Sequence, residues 1–200
     1  MYTNVITSLF RVGFGFALSV GLAIPMGLWM GMRIKPRLAF LPIINFFRNL
    51  SPLAWMPFAV TWFGIGDVSP IFLIFLAAFF PLVLATLAAV ANIPSVYFRV
   101  AKDVGMSVSA QIWRVTMPAI LPQIITALRV TAGLSWVVLV AAEMVAGAGG
   151  LGFAIWDDHN GLRPDLILVD MTMIGFIGIA IDILIQRMTK MPSVRWGYER

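Results

Sequence analysis

Five ionisable side chains, Arg11, Arg129, Glu143, Asp170 and Asp182, stand inside long apolar runs of this 200-residue chain. A charge in such a place is costly unless it is paired or hydrated. Catalytic groups gathered at one depth would make an intramembrane enzyme, whereas opposite charges at one depth would make structural ion pairs. Position within the runs sorts the five into two levels. Arg11 lies near the start of the first run, Glu143 near the end of the fourth and Asp170 near the start of the fifth. In a bundle of alternating helices, Arg11 can therefore meet Glu143 or Asp170. Arg129, near the start of the fourth run, and Asp182, near the end of the fifth, can form a second pair at the other level. Arg129 and Glu143 are separated by about 21 Å along one helix, at 1.5 Å per residue, and cannot touch. We assign all five to structural pairs.

Other residues that could carry chemistry lack the right company. His159 beside Asp157 and Asp158 is the one histidine, and the chain has no cysteine. That is poor support for a metal site and fits a solvated loop better. The absence of cysteine also removes disulfides and thiol nucleophiles. Gly147 to Gly152 matches G-x-G-x-x-G, but no strand precedes it, and it closes an apolar run as a flexible helix exit. Gly27 and Gly31 are spaced as G-x-x-x-G, which permits close helix approach in lipid, although 17 glycines also produce such matches by chance. No G-x-x-x-x-G-K-[ST] loop occurs, so the chain does not hydrolyse a nucleotide by that route, and any ATP power must come from a partner.

The elements that must position these residues follow from composition. Hydrophobic residues make up 60% of the chain and charged ones 12%, too apolar for a soluble domain. The runs extend from about Val5 to Gly31, Leu38 to Phe63, Ile71 to Ala91, Gln123 to Ala148 and Leu166 to Ile185. Each is long enough to span a bilayer. Pro81 is placed to kink the third. Between the third and fourth lies the longest polar interval, 92–122, with Arg99, Lys102, Asp103 and Arg114. The expected architecture is a single all-α membrane domain over 1–200 with five visible spans.

The net charge of +5 would suggest nucleic acid on a soluble protein, but the placement of the basic residues sets that aside. The segments 33–37, 92–122 and 187–200 hold ten of the 14 Lys and Arg, while the alternate connections, 64–70 and 149–165, hold only Arg163. Basic loops face the cytoplasm. The C-terminus is then expected inside and the N-terminus outside, unless a further span precedes these residues.

Within the basic interval, Arg99-Val100-Ala101-Lys102-Asp103-Val104-Gly105 leads to Val115-Thr116-Met117-Pro118. This register resembles the E-A-A, three residues, G, nine residues, I-x-L-P signature of permease subunits of bacterial ATP-binding-cassette importers. Ala101, Gly105 and Pro118 match it, while Arg99, Val100, Val115 and Met117 replace Glu, Ala, Ile and Leu. Two further stretches resemble the nitrate, sulfonate and taurine branch of those permeases. One is Ser51-Pro52-Leu53-Ala54-Trp55-Met56-Pro57 with Trp62-Phe63-Gly64-Ile65-Gly66; the other is Ala141-Ala142-Glu143-Met144 with Gly150-Leu151-Gly152-Phe153-Ala154-Ile155-Trp156-Asp157. The resemblance covers about Leu9 to Arg187 and departs at the N-terminus, where the family has one more span.

The resemblance implies the type I ABC importer permease fold and a short cytoplasmic coupling helix that docks on an ATPase. Arg99, Ala101, Lys102, Asp103, Gly105 and Pro118 are the residues it marks for that contact. It implies two cytoplasmic ATP-binding subunits that hold ATP and Mg, a second permease copy, an extracytoplasmic substrate-binding protein and an inner-membrane location. No cofactor is expected on this chain. The cargo class implied is a small anion: nitrate, a sulfonate, taurine or bicarbonate. The residues themselves offer Asn45, Arg48 and Asn49 as a polar stripe ending at Pro52, with Thr61 and Thr86 as further candidates to line a translocation path. Asn45 and Arg48 equally suit a snorkelling position at the cytoplasmic interface. The rival classes are a stand-alone channel and an intramembrane enzyme.

Overall fold

A computed structural model describes residues 2–187. Helix α1 (Tyr2–Met32) is followed by α2 (Ile34–Asn49), a 3-10 turn (Pro52–Trp55) and α3 (Met56–Phe63). Next come α4 (Val68–Ala91), α5 (Ser95–Asp103) and α6 (Val108–Gln111), and a π turn (Ile112–Thr116) leads directly into α7 (Met117–Ala146). The chain ends its described part with α8 (Leu151–Asn160) and α9 (Pro164–Arg187). Among the described residues, four helical stretches are long and apolar enough to cross a membrane: Tyr2–Met32, Val68–Ala91, Val108–Ala146 and Pro164–Arg187.

The expected second span is not one helix. Leu50 and Ser51 adopt extended backbone between α2 and the 3-10 turn. Pro52 explains the break, since its ring disfavours a helical residue before it and it has no N–H to give. The broken segment nevertheless returns the chain across the bundle. Gly15 abuts Ile71 and Ile74, Gly27 abuts Val83 and Thr86, and Gly31 abuts Val90, so the partners advance together and α1 and α4 run parallel. Two parallel neighbours require the connection 33–67 to travel back from the end of α1 to the start of α4. With 16 residues in α2 and 8 in α3, the pair has about the 36 Å rise of α4, which has 24.

The Gly27 and Gly31 spacing is used in this contact. A Cβ on Gly27 would lie 2.5 Å from Thr86 Cβ, and one on Gly31 2.6 Å from Val90 Cβ. Hydrogen at these positions lets the backbones of α1 and α4 approach.

Helix α7 runs antiparallel to both. Its early residues Ile120 and Ile124 pack on Ala89 and Val90, and its later residues Trp136 and Leu139 on Val12 and Ile74. It begins earlier than the expected fourth span, because the π turn carries the helical backbone through Pro118 without a break. Helix α9 lies antiparallel on α7, with Trp136 Nε1 donating to the Ile174 carbonyl at 3.2 Å. Asp170 is its one buried residue. Leu168, Phe176, Ile179 and Leu184 are exposed, as suits a helix whose solvent is hydrocarbon.

This topology sorts the charges by end. Arg33, Lys35, Arg37, Arg99, Lys102 and Arg114 gather where α1 and α4 finish and α7 begins, with Arg187 at the finish of α9. Asp67, Asp157, Asp158 and Asp165 occupy the opposite end. Lys190, Arg195 and Arg200, which also entered the charge count, lie outside the described residues.

Candidate functional site

At the acidic end, three chain segments converge on one buried carboxylate. Glu143 is 0% exposed and Arg11 2%. Arg11 Nη1 donates to Glu143 Oε1 at 2.8 Å and to the Gly149 carbonyl at 2.6 Å. Its Nε and Nη2 both reach Asp67 Oδ1, at 2.8 and 2.6 Å. The Ser8 hydroxyl, one turn before Arg11, donates to Glu143 at 2.8 Å and accepts the Leu151 N–H at 2.9 Å. The Gly152 N–H completes the set, 3.0 Å from Glu143 Oε2. Gly150 has φ +110°, and a Cβ there would collide with the Glu143 carboxylate. The glycine run after α7 is thus the wrapping of a buried acid. Charge-assisted bonds from α1 and from the α3–α4 turn tie this end of the bundle together.

Asp170 does not join Arg11, contrary to one of the two pairings expected. Asp67 fills the second arm of the guanidinium, and Asp170 is turned toward α8, where it faces the Asp158 carboxylate. Arg163 closes that corner with contacts of 2.9 Å to Asp158 and 3.2 Å to Asp157. A cavity of about 380 Å³ lies here, bordered by Asn4, Gly149, Asp157, Asp158, Arg163 and Asp170.

Near the other level, Arg129 on α7 and Asp182 on α9 make a two-pronged contact, with Nη2 2.7 Å from Oδ2. Both side chains remain more than 40% exposed. Arg129 and Glu143 are held apart by the helix they share.

The five residues considered for a path separate. Asn45 is half-buried, and Arg48 and Asn49 are exposed on the last turn of α2. Thr61 is exposed on α3, with its hydroxyl donated to the Pro57 carbonyl at 2.7 Å. Thr86 does not belong with them. It is fully buried against Gly27 on the α1 side of α4, with its hydroxyl spent on the Leu82 carbonyl at 2.8 Å. Helix α4 is apolar on nearly every face, so its sequence does not say which way Thr86 turns.

At the basic end, the interval 92–122 divides into two arms rather than one long amphipathic stretch. Helix α5 stops at Gly105, whose φ is +71°. The Met106 N–H reaches the Ala101 carbonyl at 2.9 Å and the Gly105 N–H the Lys102 carbonyl at 2.9 Å. These two bonds form a Schellman cap, for which a left-handed glycine is the usual residue. Ala101 is the buried contact of α5. Arg99, Lys102 and Asp103 are exposed beside Val96, Val100 and Val104, with Arg99 bonded within its own helix to Ser95 at 3.1 Å. Pro118 opens α7 behind this helix and borders a cavity of about 580 Å³ with Asn92, Tyr97, Arg114 and Gln123.

Ser8, Asp67, Gly150 and Gly152 are not marked by the sequence as members of a site. Ser8 stands one turn from Arg11, which is a weak signal, and the glycine pair after Glu143 is another. Asp67 reads as an ordinary turn residue because nothing in the linear sequence aligns it with Arg11.

Comparison with known proteins completes the description. Residues 23–194 match the family described as binding-protein-dependent transport system inner membrane component. A putative ABC transporter permease protein of Methanocaldococcus jannaschii is 38% identical over 90% of this chain and 67% of its own length. The taurine transport system permease protein of Escherichia coli is 36% identical over 92% of this chain and 66% of its own. The bicarbonate transport system permease protein of Synechococcus elongatus is likewise 36% identical, over 91% of this chain and 66% of its own. The chain thus spans about two thirds of the length of these curated relatives. Among solved structures, a chain of the MetNI methionine ABC transporter in inward facing conformations superposes with a TM-score of 0.82 over 94% of each chain, at 18% identity. That likeness shows the fold.

Proposed function

The chain belongs to the binding-protein-dependent transport system inner membrane component family of ABC importer permeases, and from that premise we propose that it forms the translocation path for a small anion and couples it to separate ATPase subunits. The anion is of the nitrate, bicarbonate, sulfonate or taurine class. The chain itself performs no covalent chemistry. Its partners are two cytoplasmic ATP-binding subunits that hold ATP and Mg, a second permease copy and an extracytoplasmic binding protein. Its place is the inner membrane, with the basic end and the C-terminus in the cytoplasm.

The observation that carries this reading is α5. It offers an exposed strip of Val96, Val100 and Val104 flanked by Arg99, Lys102 and Asp103, stands at the basic end, and turns sharply at Gly105. A short helix with an apolar strip and unpaired charges is built to dock on a protein surface. Residues Ala101, Gly105 and Pro118 hold its shape, and Arg99, Lys102 and Asp103 face the ATPase. The face of α2 and α3 that carries Asn45, Arg48, Asn49 and Thr61 lines the path against the second copy.

The test is to coexpress and copurify the chain with candidate ATP-binding subunits and reconstitute the complex with a candidate binding protein in proteoliposomes. Uptake of nitrate, bicarbonate or taurine should require ATP inside the equivalent of the cytoplasm. Anion flux without nucleotide would make the chain a channel instead.

A further inference from the structure

Arg48 lies at a depth where an exposed arginine is hard to accommodate. Its neighbour Phe47 stacks on Phe80, with ring centroids 5.4 Å apart and an interplanar angle of 8°. Phe80 is at the middle of α4, which runs Val68–Ala91. Arg48 is therefore close to half-way through the bundle, about 15 Å from either edge of the hydrocarbon. That distance exceeds what an arginine stem can span by snorkelling, so the interfacial placement that its sequence position also allowed is set aside. The guanidinium is exposed and has no hydrogen bond or ion pair among the described residues. A lipid-facing charge at this depth would be strongly unfavourable. It must face water, a polar guest or a polar group of the second copy.

A cavity of about 160 Å³ opens beside it, at the break between α2 and the 3-10 turn. Phe47, Trp55 and Phe80 wall it, with Pro52 at the break after α2, Pro81 inside α4 and Val138 on α7 behind. Among the described residues no carboxylate lines it, unlike the cavity beside α8. Apolar walls weaken screening of the guanidinium, and its planar fork matches the oxygens of a small oxyanion. We propose that Arg48 and this cavity form a mid-membrane subsite for one oxyanion group, a nitrate, bicarbonate or sulfonate. This subsite rests on the importer reading for its place in a cycle, but its anion preference can be measured without transport.

Since the chain has no cysteine, Leu50→Cys or Val138→Cys introduces a single thiol on the cavity wall in the reconstituted importer. Labelling of this chain is followed with an anionic and a cationic methanethiosulfonate reagent of similar size. With Arg48 present, the anionic reagent should react at least 5-fold faster, and nitrate, bicarbonate or sulfonate-bearing taurine should slow it. Arg48→Gln should abolish the preference at both thiols, and in the cysteine-free chain it should cut ATP-driven uptake about 10-fold, with Arg48→Lys partly restoring it. Equal labelling by the two reagents, a preference that survives Arg48→Gln, or unchanged uptake in that variant would overturn the subsite. A preserved charge preference in a complex that shows no ATP-driven uptake would support the subsite while refuting the importer reading. Two positions on different segments, the break after α2 and helix α7, guard against one variant failing to assemble.

Discussion

Arg11 and Glu143 meet at 2.8 Å across 132 residues of chain, in a place where neither side chain touches solvent. The guanidinium also reaches Asp67, which is half exposed, so this ion pair is one side of a bridge from the bundle interior to its acidic end. Its strength comes from completeness. Glu143 receives a guanidinium, a hydroxyl and a backbone N–H, and removal of any one donor leaves the rest of a desolvated charge to be satisfied.

Glu143→Ala should therefore destabilise the chain by about 3–5 kcal/mol, the range for orphaning one partner of a buried pair. Glu143→Gln keeps the shape and should lose less. Thermal unfolding of the detergent-solubilised complex measures both. An Ala variant that melts with the wild type would mean that water enters this corner and solvates Arg11.

Asp182→Ala should lower the melting temperature by less than Glu143→Ala, because Arg129 and Asp182 are both partly exposed. Substrate preference should stay as it was. The swapped chain Arg129→Asp with Asp182→Arg should recover part of the loss. If the double swap melts no higher than either single variant, the contact contributes nothing to α7–α9 packing, and Arg129 becomes available to other groups.

Gly105→Ala places a side chain on a left-handed residue, at about 1–2 kcal/mol of local strain, and Gly105→Pro also removes the N–H that reaches Lys102. Both should distort the end of α5, and Asp103→Arg reverses a charge on its exposed face. The expected result is insertion and assembly at wild-type levels, with ATP hydrolysis no longer matched by uptake. Measuring the two rates in one proteoliposome preparation checks it. Wild-type uptake in all three variants would show that this helix does not transmit the ATPase cycle.

The sequence places Arg129 and Asp182 at one level, and where α7 and α9 neighbour each other directly these two side chains meet. Asp170 shares the level of Arg11 but does not meet it, because it faces Asp158 on α8, which Arg163 contacts from the turn before α9. Hydropathy located the four long spans but not the break at Pro52, since the second apolar run resumes past it and continues to Phe63. It was also silent about rotation. Thr86 and Arg48 each interrupt an apolar run, yet one turns into a helix contact and the other away from it. The packing of α4 on α1 decides the first, and the seating of Phe47 from α2 on Phe80 of α4 decides the second.

That packing supplies the last prediction. At Gly27, a Cβ would stand 2.8 Å from the Val83 carbonyl as well as 2.5 Å from Thr86 Cβ, so part of the obstacle is backbone and cannot rotate aside. Gly27→Ala should thus push α1 and α4 apart and cost about 1–3 kcal/mol, as overpacking does elsewhere. Gly13 and Gly21 lie on the same helix with nothing within 4 Å of an added Cβ. Replacing either with alanine should be neutral or slightly stabilising, because alanine suits a helix better than glycine. Trimming the neighbour by Thr86→Ala should relieve only part of the Gly27→Ala defect, since the Val83 carbonyl remains. Melting temperatures of the four single variants and the double variant in one detergent give the comparison. Equal effects at Gly13, Gly21 and Gly27 would show that helix propensity alone is being read, and that the close α1–α4 approach does not hold in the assembled protein.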